Sequence, residues 1–158
     1  MSRLPRLLSA CVLLTALLAF AVPVDAQSSA TYTITEQDIN AYRLPSSIRR
    51  FVSNVSVDLQ PDQAVVTARI TYGRLTVNTA SVWQPVISNG RLSWRAVSAT
   101  VDGVPLSAEQ LATLNNTARR AIEDAVRRYL DSRIRRSYRV ESVQITDSEV
   151  IVTVTFNR

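Results

Sequence analysis

The residue types that usually carry out catalysis are scarce in this chain of 158 residues. It contains no histidine, so no serine has the imidazole base that would activate it as a nucleophile. Its one cysteine is Cys11. Its three glycines are isolated, and its acidic residues lack the spacing of metal ligands. The carboxylate pairs Glu36/Asp38 and Glu123/Asp124 are explained by helix capping and surface ion pairing. The sequence therefore predicts a protein that is not an enzyme and that uses no metal or cofactor.

Arginine supplies all of the positive charge: 18 residues are basic, none of them lysine, against 13 acidic residues. The net charge of +5 suits an anionic surface without requiring one. Four arginines cluster where a helix is expected to end: Arg133, Arg135, Arg136 and Arg139. They have two interpretations, complementing the helix dipole or meeting the anionic headgroups of a membrane surface. Nucleic acid is not an expected partner, because most arginines have an acidic residue nearby and the chain begins with an export signal.

That export signal is read from the first 26 residues. Arg3 and Arg6 precede an apolar run over 7–22, and Val24-Asp25-Ala26 ends in the small residue that cleavage requires. We expect a signal peptide over 1–26 and a single α+β domain over 27–158, secreted or otherwise extracytoplasmic. Two alternatives stay open. In the first, residues 7–22 form an uncleaved membrane anchor, although this run is shorter than the ~20 residues that span a bilayer. In the second, Cys11 carries a lipid.

The elements that must position the functional residues begin with a strand over 32–35. Thr35 then caps a helix over 36–44, which Pro45 stops. Val55, Val57 and Leu59 alternate with polar residues, as in a half-buried strand. A turn at 61–63 follows, and a second alternating run covers 66–72. The pattern continues beyond Gly73, which predicts a bulge or a sharp bend there.

Asn89-Gly90 gives the clearest local signal, because this pair favours a two-residue type I′ turn. The turn sets Ser88 opposite Arg91 and Pro85 opposite Trp94. One face of the hairpin is then apolar, namely Trp83, Pro85, Ile87, Leu92, Trp94 and Ala96. Pro85 cannot donate to the ladder, which predicts an edge or a bulge at that point. The two tryptophans are interpreted either as core residues or as aromatic side chains that line a ligand mouth or a membrane-touching tip.

The strongest helix signal covers 108–134, with Ser107 and Gln110 as a capping box. Apolar residues recur at three- and four-residue spacing, including Leu114, Ile122 and Tyr129. Twenty-seven residues of helix extend about 40 Å. A final hairpin is expected over 143–156. The fold class predicted is α+β, with a curved antiparallel sheet of long strands packed on one long amphipathic helix, plus a short N-terminal helix.

The order of these pieces resembles small bacterial members of the tubular lipid-binding (TULIP-like) superfamily. The similar features are Thr-x-x-Asp-Ile-Asn at 35–40, long strands over 55–101, a long helix after Val-Pro-Leu-Ser at 104–107, and a final hairpin over 143–156. The resemblance covers nearly all of 27–158 and carries over no catalytic residue. It implies a crevice between helix and sheet that holds a lipid or another apolar small molecule in the cell envelope.

Seven residues are the predicted ligand site: Trp83, Ile87, Leu92, Trp94, Leu114, Ile122 and Tyr129. The cluster Arg133, Arg135, Arg136 and Arg139 is the predicted contact with an anionic surface. The alternative function is a structural envelope module with a solid core and a protein partner. The two functions differ in whether the space between helix and sheet is open or filled.

Overall fold

The computed structural model describes residues 28–44 and 46–156. The predicted signal peptide, the anchor alternative and Cys11 all lie outside these residues, as does Pro45. The described chain runs in the order β1 (Ser29–Thr35), α1 (Glu36–Asn40), α2 (Ser46–Arg49), β2 (Val52–Gln60), β3 (Gln63–Tyr72), β4 (Leu75–Ser88), β5 (Arg91–Val101), β6 (Val104–Pro105), α3 (Ala108–Arg133), β7 (Tyr138–Ile145) and β8 (Glu149–Phe156).

The α+β class is confirmed, but the strands form two antiparallel sheets where one was expected. Five strands follow the order β2-β3-β4-β5-β6, and three follow the order β1-β8-β7. In the smaller sheet, β1 pairs with β8, so that Ser29 lies opposite Thr155. The two ends of the described chain are thereby joined. The second sheet was not predicted because this long-range pairing leaves no signal in the local sequence pattern.

The predicted Asn89-Gly90 turn is confirmed, with φ angles of 53° and 72° at its two residues. Ser88 pairs with Arg91 and Pro85 with Trp94, in the predicted register. Pairing of β3 with β4 ends at Ala64 and Trp83. Pro85 therefore lies beyond the first residue of β3, where the missing N–H of proline leaves no ladder hydrogen bond unmade.

Gly73 lies in a sharp turn between two strands. Its φ is 62°. β3 ends just before Gly73 and β4 begins just after it, and the two strands pair with each other starting at Tyr72 and Leu75. A positive φ is the backbone conformation that glycine adopts without steric cost. β4 therefore runs the full 14 residues between the turn at Gly73 and the turn at Asn89.

The predicted capping box of Ser107 with Gln110 is present, and the predicted cap Thr35 forms a second capping box with Asp38. The long helix α3 ends one residue before the predicted 134. The first helix is shorter than the predicted 36–44, because it ends at Asn40 and a second short helix begins at Ser46. The Asn40 side chain is hydrogen-bonded to β2, which holds the end of α1 against that strand.

The core joins both sheets to the second half of α3. Val152 and Val154 of β8 are fully buried, and Leu130 of α3 is nearly so. The remaining buried members of the cluster are Ile34, Leu59, Ala64, Trp83, Trp94, Ala96, Ile134, Val140, Ile145 and Val150. Removal of this apolar surface from water is the main force that stabilises the fold.

Asparagine side chains occupy the open edges of the five-stranded sheet. On edge strand β2, Asn40 Oδ1 accepts from the Val57 N–H and Asn40 Nδ2 donates to the Val57 carbonyl, both at 2.8 Å. On β5, beyond its short pairing with β6, Asn115 does the same to Ala96 at 2.7 and 3.0 Å. Each amide takes the place of a neighbouring strand and blocks the edge to other chains.

Replacing Asn115 with alanine is expected to lower the free energy of unfolding by about 1–2 kcal/mol, because the Ala96 N–H and C=O lose both partners. Urea denaturation measures the change. Asn116, the next residue on α3, is exposed and provides the control. If Asn116→Ala and Asn115→Ala lower stability equally, the bridge to β5 contributes nothing specific.

Candidate functional site

An open cleft lies between α3, the tip of the β4–β5 hairpin and the start of β7. Its volume is about 1320 Å³. The lining residues from the hairpin include Arg91 and Leu92, and those from β7 include Tyr138 and Val140. The residues from α3 and the segment after it include Arg119, Glu123, Asp124, Val126, Arg127, Leu130, Asp131, Ile134, Arg135 and Arg136.

Aliphatic side chains make up the apolar part of the cleft. Leu92 and Val126 are partly exposed and pack against the core. Leu130, Ile134 and Val140 also border the cleft and are themselves buried core residues. The cleft is therefore an opening onto one end of the hydrophobic core.

Charged side chains surround this apolar part. Five arginines border the cleft against three carboxylates, Glu123, Asp124 and Asp131. Arg119 Nε lies 3.5 Å from Glu123 Oε1, and Arg127 Nη2 lies 3.1 Å from Asp124 Oδ1. The exposed Arg127–Asp124 pair contributes little to stability, whereas the Glu123 Oε1 atom is itself buried. The excess of two arginines leaves the rim net positive.

Tyr138 holds β7 to the last turns of α3. Its hydroxyl donates to Asp131 Oδ1 at 3.0 Å. Burial, and then the hydrogen bond and negative charge of Asp131, raise the pKa of Tyr138 to about 12, against a smaller opposing effect of Arg127. The phenol is therefore a neutral donor at ordinary pH, and this wall of the cleft keeps its hydrogen bond.

The hairpin tip is tied to β7 by one backbone contact. The Val140 N–H donates to the Gly90 carbonyl at 2.8 Å. A Cβ at Gly90 would lie 2.7 Å from Arg139 Nε and 3.0 Å from Arg139 Cβ. Gly90 is therefore needed for its positive φ and for this close approach, which fixes the width of the cleft at the hairpin tip.

A smaller cavity of about 380 Å³ adjoins the cleft at Arg119. Trp94 and Asn115 lie among its lining residues. The Trp94 Nε1 atom is buried and has no hydrogen-bond partner among the described residues. Asn115 is already engaged with Ala96, so it stabilises the cavity wall.

The predicted ligand residues fall into three groups. Leu92 lines the cleft and Trp94 lines the smaller cavity. Trp83 and Trp94 are 3% and 5% exposed, and Trp83 Nε1 donates to Ser81 Oγ at 2.8 Å. Both indoles lie in the core, which is the first of their two interpretations. The other members lie outside the linings of both cavities: Ile87, which is exposed, and Leu114, Ile122 and Tyr129, which pack against the core.

The predicted arginine cluster is divided between different roles. Arg135 and Arg136 border the cleft. The guanidinium carbon of Arg133 lies 4.5 Å from the ring centroid of Tyr129, a cation–π contact. Arg139 packs at Gly90. The sequence reasoning missed Arg91, whose position directly after the Asn-Gly turn could have placed it at the same end of the sheet as the cluster.

Two further properties concern only residues 28–44 and 46–156. No group of three or more histidine, cysteine or acidic side chains is placed there to hold a metal ion. None of the helices in this part of the chain is both long and apolar enough to cross a bilayer.

The chain matches no family model, no curated protein and no solved structure.

Proposed function

We propose that this protein is an exported, non-catalytic domain of the cell envelope that holds an apolar or lipid-like molecule in the cleft beside α3. The observation that carries the proposal is an open cleft at one end of the core, bordered by aliphatic side chains and rimmed by arginines. Its volume of about 1320 Å³ exceeds that of most small-molecule pockets, which measure ~300–1,000 Å³. The arrangement fits one molecule with an apolar part and a polar or anionic end.

The proposal places the ligand nearer to the hairpin tip than the sequence predicted. Trp83 is packed within the core, so Leu92 and Val126 are the proposed apolar contacts. Arg91 and Arg119 are the proposed contacts for the polar end. The resemblance of the sequence pattern to TULIP-like proteins supports the same class of ligand, and the export signal expected over 1–26 supports an extracytoplasmic location.

A structural envelope module with a protein partner is the second candidate. The burial of Trp83 favours it, because a filled core at that residue leaves no room for a ligand, whereas a cavity lies beside Trp94. A module of this kind would keep a solid core and would bind no apolar probe. Native mass spectrometry separates the two candidates, since a carrier purified from cells retains bound lipid.

Replacing Val126 with glutamate is expected to weaken the binding of a fluorescent fatty acid by at least about tenfold. A carboxylate in the cleft would repel the probe's own charge and would lose hydration when the probe binds. Fluorescence titration of the probe measures the change, and thermal unfolding shows whether the variant is folded.

Ala108→Glu is the matched control, since it adds the same charge at the exposed first residue of α3, outside the cleft. If Val126→Glu does not fold, Arg91→Gln tests the rim without touching the core. Equal binding by the wild type, the cleft variant and the control, or no binding by the wild type, would contradict the proposal.

A further inference from the structure

The turn between β3 and β4 carries a surface that the cleft does not explain. We call residues 48–53 and 69–77 the arginine tip. Its arginines are Arg49, Arg50, Arg69 and Arg74, and it contains no aspartate or glutamate. Four arginines and no acidic residue give it a net charge of +4, whereas the whole chain carries +5.

Backbone pairing brings the two segments of the arginine tip together. The Thr71 N–H donates to the Phe51 carbonyl at 2.7 Å. Val52 pairs with Ile70, and Tyr72 pairs with Leu75 across the turn. The arginines of both segments therefore belong to one end of the five-stranded sheet, around the turn that contains Arg74.

Large apolar side chains at the arginine tip are open to solvent. Tyr72 is 78% exposed and Leu75 is 65% exposed, and Phe51 is exposed as well. Alternation along β4 places Leu75 on the same sheet face as Trp83. The face of the five-stranded sheet that is buried at Trp83 is therefore exposed to solvent at Leu75, at the start of β4. Tyr72 and Leu75 are directly opposite each other, and adjoining exposed apolar side chains are candidate contact surfaces.

We infer that the arginine tip docks on an anionic lipid surface, with Tyr72 and Leu75 entering the interface and the arginines meeting the headgroups. The net positive charge of the arginine tip complements such a surface. Asp102, which accepts from the Asn78 N–H at 2.8 Å beside the tip, offsets part of that charge. The same charge opposes contact between the tips of two copies. The apolar pair projects at a turn, a shape suited to penetrating a lipid interface. This inference is independent of the ligand proposed for the cleft.

Fluorescence quenching by brominated lipid tests the inference. The full chain is purified from cells and mixed with vesicles that contain the brominated lipid, and the tryptophan fluorescence is measured. Tyr72→Trp places an indole on the tip, and Ile87→Trp places one near the opposite end of β4. We expect quenching at position 72 and little at position 87, in vesicles that contain phosphatidylglycerol. Vesicles of phosphatidylcholine alone are expected to give weak quenching at both positions. The two native tryptophans are buried and contribute the same background to both variants.

Charge removal supplies the second arm. We expect the double substitution Arg69→Gln and Arg74→Gln, made in the Tyr72→Trp variant, to lower the equilibrium constant for binding of the tip to anionic vesicles about 30-fold. The matched control is Arg120→Gln with Arg128→Gln, which removes two exposed arginines of α3 that border neither cavity. Tyr72→Ser with Leu75→Ser is expected to weaken the binding of the chain to the anionic vesicles.

Three results would overturn the inference. The first is equal quenching at positions 72 and 87. The second is an equal loss in the tip and α3 arginine variants, which would indicate a general charge effect. The third is binding of the tip to a soluble acidic polypeptide with no quenching by lipid, which would indicate a protein partner. Quenching at position 72 and its loss in the arginine variants do not depend on occupancy of the cleft, so they test the arginine tip separately from ligand binding.

Discussion

Replacing Trp83 with alanine is expected to lower the free energy of unfolding by about 3–5 kcal/mol, the range for loss of a buried aromatic side chain. The indole is 3% exposed, and its cross-strand neighbours on either side are Ala64 and Ala96. These small residues leave the space that the ring fills, so its removal leaves a cavity that no nearby side chain can close. The substitution also removes the hydrogen bond to Ser81.

Urea denaturation with paired variants separates the two losses. Trp83→Phe keeps most of the ring but loses the hydrogen bond, so we expect a loss of about 1–2 kcal/mol. Ile87→Ala is the surface control on the same sheet face, with an expected change below about 1 kcal/mol. If the Trp83→Ala variant is as stable as the Ile87→Ala variant, the Trp83 side chain does not stabilise the core. Trp83 would then again be a candidate ligand-binding residue.

Replacing Gly90 with alanine is expected to lower the free energy of unfolding by about 2–3 kcal/mol, for two reasons. The residue has a φ of 72°, which strains any side chain. The new Cβ would also lie 2.7 Å from Arg139 Nε, so that the hairpin tip or Arg139 must move. Such movement would weaken the hydrogen bond from Val140 and change the width of the cleft.

Gly73→Ala is the matched control for backbone strain. Gly73 has a similar φ of 62°, but no atom outside its immediate neighbours lies within 4 Å of the added Cβ. We expect this control to lose about 1 kcal/mol, and the double variant Gly90→Ala with Arg139→Ala to recover part of the additional loss. If both glycine variants lose the same amount in thermal and urea unfolding, the contact with Arg139 has no energetic effect.

Features decided by near neighbours in the chain could be predicted from sequence. The Asn89-Gly90 turn imposes its register, because only one pairing satisfies two residues with positive φ. Ser107 and Gln110 mark the start of α3 because they hydrogen-bond to backbone groups within one turn. The α+β class followed from these local signals.

Features decided by distant residues could not be predicted in this way. The pairing of β1 with β8 joins residues more than a hundred positions apart, and nothing in either strand specifies the partner. Val126 and Arg91 border the same cleft only because α3 lies along β5. Trp83 and Trp94 were assigned to the correct face, but sequence alone could not decide whether that face is covered.

The length of β4 sets the distance between the two surfaces proposed here. Its 14 residues separate the Gly73 turn from the Asn89 turn, which is about 45 Å of extended chain. With the arginine tip resting on a bilayer, the mouth of the cleft would stand well beyond the headgroups. A lipid bound there would have left its membrane completely, so its exchange would take place through water or with a receiving molecule on the far side.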